Sequence, residues 1–410
     1  MLYSLLVENV LTSIGGVLLA IVILLAMVTI HEFGHYVAGK ILGFRINEFS
    51  VGFGPAIFKR RSKKTGELFA LRVVPLGGYC AFDGEDEPGE ESAKKEDPDG
   101  QPFAEMTSET ENTEQAQPTE EYPQPKGERF NDQAPWKRII VLVAGATMNY
   151  LLALVLIVVM FACLGRPIYQ VKKSPPAEGT TDIVYETGLR EGDILLKIEG
   201  RDLYMITDYI DALQGKAKGD SVTITLIRDG AVTEEVLSLS YDANFVNMSD
   251  TTRVLAALGL ITVDDTGKVV RGGGLYGEHY RDGFFQTIGH SFVYSFKIGG
   301  VVLRSLGELL TGKIGLDAMG GPITTIQVTS QAATAGIGSF LNIAAFIGVN
   351  LAVFNLLPIP ALDGCKVIFC LIEWIRKKPV NRKVETIIHF VGLVALFGFA
   401  ILVDLLQLFR

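Results

Sequence analysis

Four long apolar runs constrain the fold of this chain more than any other feature. They extend approximately over residues 14–37, 139–164, 340–357 and 387–408, close to or above the roughly 20 residues that cross a bilayer as a helix. Hydrophobic residues make up 48% of the 410 residues and the mean hydropathy is +0.31, a combination that is more apolar than a soluble domain usually needs. The runs therefore predict four transmembrane helices. We expect the first run to be retained, because it is too long for the core of a cleaved signal peptide.

Lysine and arginine are concentrated in two of the loops between these runs. Seven of them lie between residues 40 and 64, and six lie between residues 366 and 383. Because positively charged loops stay on the cytoplasmic side, we expect both loops in the cytoplasm. The N-terminus and the region between the second and third runs are then outside. The sequence thus predicts a multi-pass protein of the plasma or inner membrane.

The net charge of −9 comes from a single segment. Residues 84–130 contain 15 acidic and 4 basic residues, whereas the rest of the chain has 31 and 33. This segment is rich in Glu, Pro, Gln and Thr, so it cannot bury enough apolar surface to offset the entropy of ordering. We therefore predict a disordered, acidic cytoplasmic insert over residues 83–130, and we expect no nucleic-acid partner for the chain.

Residues 166–262 predict a globular module with both strands and helices outside the membrane. The alternating run Ser221–Ile227 predicts a strand, and Arg228-Asp-Gly230 predicts the hairpin turn that follows it. Residues 208–213 suit a short helix. The stretch after this module, residues 263–338, is expected to be an extracytoplasmic amphipathic or linker region.

The most specific motif in the chain is His31-Glu32-Phe33-Gly34-His35, at the end of the first apolar run. Helix positions i and i+4 share one face, so the two imidazoles can bind one Zn²⁺. Glu32 is then placed to act as the general base toward the attacking water. Ionisable groups near a membrane interior are costly and are typical of functional sites. The structural alternative is a pair of histidines on a polar helix face.

Two histidines leave a catalytic zinc short of its usual three protein ligands. His279 and His290 are poor candidates because they fall in an extracytoplasmic stretch, and His389 lies inside the fourth run. Asp363, in the sequence Asn355-Leu-Leu-Pro-Ile-Pro-Ala-Leu-Asp-Gly364, is a better one. A carboxylate at the end of an apolar run is an unusual place for a charge unless a cation is near. The alternative is an interfacial aspartate that caps the third run.

Together these two motifs resemble the metal motifs of the site-2 protease family (M50), which comprises intramembrane zinc metalloproteases. The match is close to the bacterial RseP and RasP type, which acts on anti-sigma factors and leftover signal peptides. The resemblance implies an α-helical polytopic membrane protein with four transmembrane helices and a re-entrant β-loop. One extracytoplasmic PDZ-like α+β domain would be inserted in it. It also implies Zn²⁺ as the cofactor, held by His31, His35 and Asp363, with Glu32 as the catalytic base.

Further stretches fit the same resemblance. Residues 51–55 and 74–79 resemble the family's β-loop, and residues 188–200 resemble the core of a PDZ domain. The chain departs from the family at Gly145-Ala146, where Gly-Pro is usual. The implied partners are the lipid bilayer and single-pass membrane proteins already trimmed by another protease. The implied substrate-binding residues are Asn350, Asn355, Pro358, Pro360, Gly77 and Gly78.

The expected organisation has six parts. They are the first helix with the β-loop (residues 1–82), the insert (83–130), the second helix (131–165), the PDZ-like domain (166–262), the linker (263–338) and the last two helices (339–410).

Two other functions fit part of this sequence. One is a non-enzymatic membrane scaffold with a PDZ domain and a relic metal site. A relic is expected to have lost at least one of its four site residues, and all four are intact here. The other is a metal transporter, which the sequence disfavours because it lacks inverted repeats and has its metal motifs at the ends of apolar runs.

Overall fold

The computed structural model describes most of the chain, in six ranges. These are residues 2–85, 122–173, 187–241, 249–263, 269–316 and 319–408. Most of the predicted acidic insert and the upstream part of the predicted PDZ-like domain, residues 174–186, lie outside the described residues. The chain divides into two compact units, one formed by Met1–Leu156 with Ser295–Arg410 and the other by Ile157–Tyr294.

Within the described ranges the chain forms nine α-helices and nine strands. In chain order they are α1 (Leu2–Leu42), β1 (Ile46–Arg61), β2 (Leu68–Phe82), α2 (Pro135–Cys163), β3 (Arg166–Lys173), β4 (Ile194–Ile198), β5 (Arg201–Asp202), α3 (Ile206–Leu213), β6 (Ser221–Arg228), β7 (Ala231–Ser238), α4 (Asp250–Ala257), β8 (Ile261–Val263), β9 (Val269–Tyr280), α5 (Phe284–Leu310), α6 (Pro322–Ala335), α7 (Ile337–Leu356), α8 (Asp363–Arg376) and α9 (Arg382–Leu408).

Four of these helices contain segments long and apolar enough to cross a membrane, which confirms the predicted number of spans. The segments are Ile14–Leu42, Pro135–Cys163, Ile337–Leu356 and Arg382–Gln407. They are longer than the apolar runs at several ends, because polar and charged residues at the ends of the runs continue the helices. The chain is therefore a polytopic helical protein with additional β-structure.

The helices of the first unit approach each other closely where their residues are small. Gly34 of α1 packs against the backbone of α2, and a Cβ there would lie 2.8 Å from the carbonyl carbon of Ala144. Gly348 of α7 also packs closely against α2, and a Cβ there would lie 2.9 Å from the Cβ of Ala153. Small residues permit such approaches between apolar helices, whose association depends on packing rather than on the hydrophobic effect.

Strands β1 and β2 form an antiparallel sheet that is folded back on itself. Residues 46–51 pair on one side with residues 78–82 and on the other with residues 68–71, and residues 58–61 pair with 68–71 at the far edge. The fold-back occurs at Gly52, Gly54 and Gly77, which all have positive φ, a conformation that glycine adopts without strain. The sheet matches the position of the predicted β-loop.

The sheet packs along the second half of α1. The Tyr36 ring lies 5.6 Å from the ring of Phe49 and 5.9 Å from that of Phe69. Closer to the end of α1, the Phe82 ring fills the space beside Gly39. These contacts fix the height of each strand relative to α1.

The second unit contains a larger sheet with the strand order β7-β6-β4-β3-β9-β8, and β5 pairs with β4. The predicted strand and hairpin are present as β6 and β7, joined by Asp229 and Gly230, both at positive φ. Such a two-residue turn matches the right-handed twist of its strands. Because β9 pairs with β3 and β8, the sheet extends past residue 262, where we expected the domain to end. The rest of the predicted linker contains α5 and α6.

A buried cluster of charges joins α2, α8 and α9 in the first unit. Arg138 is only 3% exposed, and its guanidinium contacts the carboxylate of Glu373, which is 5% exposed. Glu373 also lies 3.1 Å from Arg382 and accepts a hydrogen bond from the backbone N–H of Val380. Removing one member of such a cluster leaves a buried charge short of partners, which is costly.

We therefore expect Arg138→Leu to lower the free energy of unfolding by about 3 kcal/mol. The reason is that the Glu373 carboxylate would stay buried with less compensation. The change is measured as a lower melting temperature of the detergent-solubilised protein. Lys172→Leu is the matched control, because its pair with Glu278 is about two-fifths exposed at both ends and contributes less than about 1 kcal/mol. Equal losses in the two variants would contradict this account.

Candidate metal centre

Three side chains that are far apart in the sequence converge at one point of the first unit. The Nε2 atoms of His31 and His35 lie 3.1 Å apart. The Oδ2 atom of Asp363 lies 3.1 Å from the first of these nitrogens and 3.4 Å from the second. All three residues are largely buried. Among the described residues, they form the one group of three His, Cys, Asp or Glu side chains with metal-ligand spacing.

The spacing and chemistry of these atoms fit a zinc ion. Ligands bound tetrahedrally at 2.0–2.1 Å lie about 3.3 Å from each other, which agrees with the three observed separations. Two imidazole nitrogens and one carboxylate oxygen are a usual donor set for catalytic zinc. Burial raises the pKa of Asp363, but its hydrogen bonds to the two imidazoles outweigh this and hold the pKa below its usual range. The carboxyl group is therefore ionised, as a ligand must be.

The helical geometry of α1 positions the two histidines and Glu32. His31 and His35 are one turn apart, so both imidazoles project from the same face. Glu32 is turned toward β2, where its carboxylate accepts a hydrogen bond from the backbone N–H of Cys80. A Cβ at Gly78 would lie 3.3 Å from the Glu32 side chain. The outer edge of β2 thus runs beside the carboxylate.

The loop between α7 and α8 places Asp363 at the first position of α8. Its conformation is unusual, because Ala361 has a φ of 78°, which non-glycine residues seldom adopt. The backbone N–H of Ala361 donates to the Nδ1 of His389, 3.1 Å away on α9. Gly392, one turn further along α9, lies against Pro360 with no room for a side chain. Helix α9 therefore supports the loop that presents the Asp363 carboxylate.

Each histidine has a partner on α2 for its other ring nitrogen. The Nδ1–H of His35 donates to the carbonyl oxygen of Val141 at 2.8 Å. The Nδ1 of His31 lies 3.4 Å from the side-chain amide of Asn149. If Nε2 of His31 binds a metal, its Nδ1 carries the proton, and the amide oxygen of Asn149 must face it. The two orientations of an amide have the same shape, and partners of this kind hold ligating histidines in place.

Gly145 of α2 leaves the space in which the two imidazoles meet. A Cβ at this position would lie 2.8 Å from Cε1 of His31 and would collide with the His35 ring. Gly145 and Ala146 stand where the resembled family usually has Gly-Pro. The next residue, Ala146, is fully buried. The glycine of that pair is the member in contact with the two imidazoles.

Two of the expected substrate-binding residues line one apolar cavity of about 400 Å³. Asn350 of α7 and Gly77 of the folded sheet lie on its wall, together with residues of α1, α6 and α9. Within the described part of the chain, the buried amide oxygen of Asn350 has no hydrogen-bond partner. Such an atom is expected to bind a group that enters the cavity. Gly78 is the next residue of β2, beside Glu32.

The other three expected substrate-binding residues lie outside the lining of this cavity. Asn355 is half-buried in the last turn of α7. Pro358 and Pro360 lie in the loop before Asp363, where Pro358 is exposed and Pro360 is half-buried. The structure thus places both prolines where they shape the approach of the chain to Asp363.

Sequence reasoning missed the contribution of Asn149. A lone asparagine inside an apolar run is a signal that could have identified it, because polar groups within a membrane span need partners. The contacts of the Val141 carbonyl group and the Cys80 N–H could not be predicted from residue types, since almost every residue provides these backbone groups.

A family model confirms the resemblance that the two motifs indicated. The model of Peptidase family M50 matches residues 19–399. The chain belongs to peptidase family M50. The matched region includes both metal motifs and the second and third predicted spans of this M50 peptidase, together with most of the first span and the part of the fourth up to residue 399.

Several relatives of this M50 peptidase match over nearly their whole length. A putative zinc metalloprotease of Agrobacterium fabrum is 28% identical over 387 residues, which cover 94% of this chain and 93% of that protein. The regulator of sigma-W protease RasP of Bacillus subtilis is 27% identical over 427 residues, or 92% of this chain and 94% of RasP. A putative zinc metalloprotease of Clostridium perfringens is 28% identical over 397 residues, with 95% and 97% covered.

We expect Gly145→Ala to abolish stoichiometric zinc binding, because the added methyl group would occupy the space between the imidazoles. Elemental analysis of the purified protein measures the bound zinc. Gly398→Ala on α9 is the matched control, since a Cβ there meets no other atom within 4 Å. This control should keep a full complement of zinc. A full complement in Gly145→Ala would show that the imidazoles do not converge at this point.

Asp363→Ala should lower zinc affinity strongly, because it removes the one carboxylate ligand and leaves two imidazoles on one helix. A titration with a competing chelator measures this affinity, and Asp132→Ala, at an exposed position before α2, serves as the control. Unchanged affinity in Asp363→Ala would reject Asp363 as a ligand.

Proposed function

We propose that this M50 peptidase is a zinc-dependent endopeptidase that hydrolyses peptide bonds within transmembrane segments of single-pass membrane proteins. The observation that carries the proposal is the position of the metal centre. His31, Glu32 and His35 belong to a helical segment apolar enough to cross a membrane. Asp363 joins them from the start of α8, seven residues after another such segment ends at Leu356. A soluble metalloprotease has no need to build its site on membrane spans.

The depth of the centre supports cleavage inside the bilayer. Glu32 precedes Lys40, the lysine in the last turn of α1, by eight residues, which is about 12 Å along a helix axis. The hydrocarbon core of a bilayer is roughly 30 Å thick. The loops rich in lysine and arginine orient the chain so that the centre is nearer the cytoplasmic face. The β-rich second unit would then lie on the extracytoplasmic side.

Bound Zn²⁺ would supply Lewis-acid polarisation of the scissile carbonyl and would increase the acidity of the attacking water. His31, His35 and Asp363 would hold the ion. Glu32 takes up the proton of the water and delivers it to the leaving amine as the peptide bond breaks. The hydrogen bond from Cys80 keeps the Glu32 carboxylate turned toward the outer edge of β2.

A transmembrane helix satisfies its backbone groups internally, so it must unwind before its peptide bonds can be reached. The outer edge of β2 beside Glu32 offers a template for the unwound segment, which would add to the sheet as a further strand. Gly77 and Gly78 lie on this part of β2 and would contact the unwound segment. The unpartnered amide oxygen of Asn350 would accept a hydrogen bond from the substrate, and Asn355, Pro358 and Pro360 would border its path.

The substrates proposed on this basis are membrane proteins already trimmed by another protease. The relative in Bacillus subtilis is named as a regulator of sigma-W protease, which supports anti-sigma factors as one class. Remnants of signal peptides are a second class with the same single-pass geometry. The β-rich unit, as a PDZ-like domain, would exclude substrates whose extracytoplasmic portion is still large.

Glu32→Gln is expected to retain bound zinc and to lose proteolysis by at least about a hundredfold, because the amide cannot accept the proton. The assay incubates the detergent-solubilised protein with a single-pass model substrate, with and without a chelator, and resolves the products by mass spectrometry. Glu234→Gln, on an exposed position of β7, is the matched control and should cleave normally.

Undiminished cleavage by Glu32→Gln would reject this residue as the base. Failure of the unaltered protein to cleave any single-pass substrate, combined with tight capture of such proteins, would favour the membrane scaffold instead.

A further inference from the structure

Five basic side chains lie in and beside the turn between β1 and β2. They are Lys59, Arg60, Arg61, Lys63 and Lys64, here called the basic turn, and all five are exposed. Within the described part of the chain, no carboxylate lies at ion-pair distance from Lys59, Arg60, Arg61 or Lys64. These four side chains are therefore a concentrated positive charge that the described carboxylates leave unbalanced.

The basic turn lies at the height of the last turn of α1. Glu67, at the end of the turn, accepts hydrogen bonds from Lys40 and from the hydroxyl group of Tyr36 on that helix. Residue 68, the next in the chain, pairs with Arg61 across the hairpin. Because α1 ends two residues after Lys40, the basic turn lies where the apolar span ends and the headgroup layer of a membrane begins.

The opposite end of the folded sheet lies beside an earlier part of α1, nearer the N-terminus of that helix. A Cβ at Gly78 would be 3.5 Å from the side chain of Val28. Val28 precedes Lys40 by twelve residues, or about 18 Å along the helix axis. Gly77, the neighbour of Gly78, packs against the ring of Phe53. The sheet thus extends from the headgroup level into the depth of the hydrocarbon layer.

The exposed side chains of the sheet change in character along this direction. On the part beyond the basic turn, six large apolar residues are between 42% and 66% exposed. They are Phe53, Ile57, Phe58, Leu71, Val73 and Val74. A bilayer leaflet has the matching profile, with hydrocarbon at depth and charged groups above it. The exposed apolar residues therefore face lipid, and the basic turn faces the headgroups directly above them.

We propose that the basic turn binds the headgroups of anionic phospholipids in the cytoplasmic leaflet and so anchors the folded sheet beside the metal centre. Arginine binds phosphate through two parallel hydrogen bonds, and the long stems of lysine and arginine can lie along apolar surface while their charges stay in the headgroup layer. The inference rests on α1 crossing the bilayer and is independent of the chemistry at the metal centre.

One other occupant has the right charge. Residues 86–121 of this chain contain 13 acidic and 2 basic residues and join the described chain near Pro123, which contacts Gly66 beside the basic turn. Lipid fits better, because the exposed apolar side chains adjoin the cations and an acidic segment poor in apolar residues would leave them uncovered. The experiment must therefore separate these two occupants.

The test measures which lipids surround the sheet in the full-length protein. A tryptophan is introduced as Phe58→Trp, with Trp136 and Trp374 replaced by phenylalanine, and the protein is reconstituted in phosphatidylcholine bilayers with a minor fraction of phosphatidylglycerol. Two samples are compared, one in which only the phosphatidylcholine carries brominated chains and one in which only the phosphatidylglycerol does. Brominated chains quench the fluorescence of a nearby tryptophan. We expect quenching per molecule to be at least about fivefold stronger for phosphatidylglycerol, since even one cation at an anionic surface contributes that much.

R60Q/R61Q/K64Q should lower this ratio severalfold while keeping the zinc content, which shows that the fold is intact. R376Q/K377Q/K378Q removes the same number of exposed cations at the end of α8 and should leave the ratio unchanged. Equal quenching by the two lipids in the unaltered protein would overturn the proposal. So would an equal loss in both triple variants, or a preference that arises only after deletion of residues 86–121, since the acidic segment would then occupy the basic turn.

Discussion

The structure depends on one electrostatic requirement, which is that two imidazoles and a carboxylate share a point inside an apolar assembly. An ionised carboxylate is expensive to bury in low-dielectric surroundings, and here its Oδ2 atom and the Nε2 atoms of the two imidazoles lie within 3.4 Å of one another. A divalent cation at their centre turns this cost into a gain. The helices on which the ligands lie must then hold their positions within a few tenths of an ångström.

Several other parts of the first unit hold these three side chains in place, each through different contacts. Small residues bring α1 and α2 together, and α2 then orients both imidazoles through the Val141 carbonyl and the Asn149 amide. Helix α9 supports the strained loop at Ala361 through His389, so the carboxylate is presented at the start of α8. The buried cluster around Glu373 joins α2, α8 and α9 at the other end of α8. The folded sheet adds the backbone N–H of Cys80, which donates to the Glu32 carboxylate, and brings an edge strand to the same place.

The sequence predicted the parts of this site whose signals are local. The spacing of His31 and His35 needs only the helix period, and Asp363 is conspicuous because it follows two prolines at the end of an apolar run. The four spans are equally local, since length and hydropathy define them. Asn149 and Gly145 could not be assigned their contacts, because these depend on which faces of α1 and α2 meet. The sheet beyond residue 262 was missed for the same reason, since β9 is defined by its pairing with β3.

X-ray absorption at the zinc edge of the purified, unaltered protein tests the central claim most directly. The account predicts one zinc per chain in a shell of nitrogen and oxygen atoms at about 2.0–2.1 Å, with the outer-shell scattering of two imidazoles. Replacing His31 or His35 should remove the scattering of one ring. A sulfur ligand at about 2.3 Å, or a shell that still shows two imidazoles after either histidine is replaced, would contradict the account.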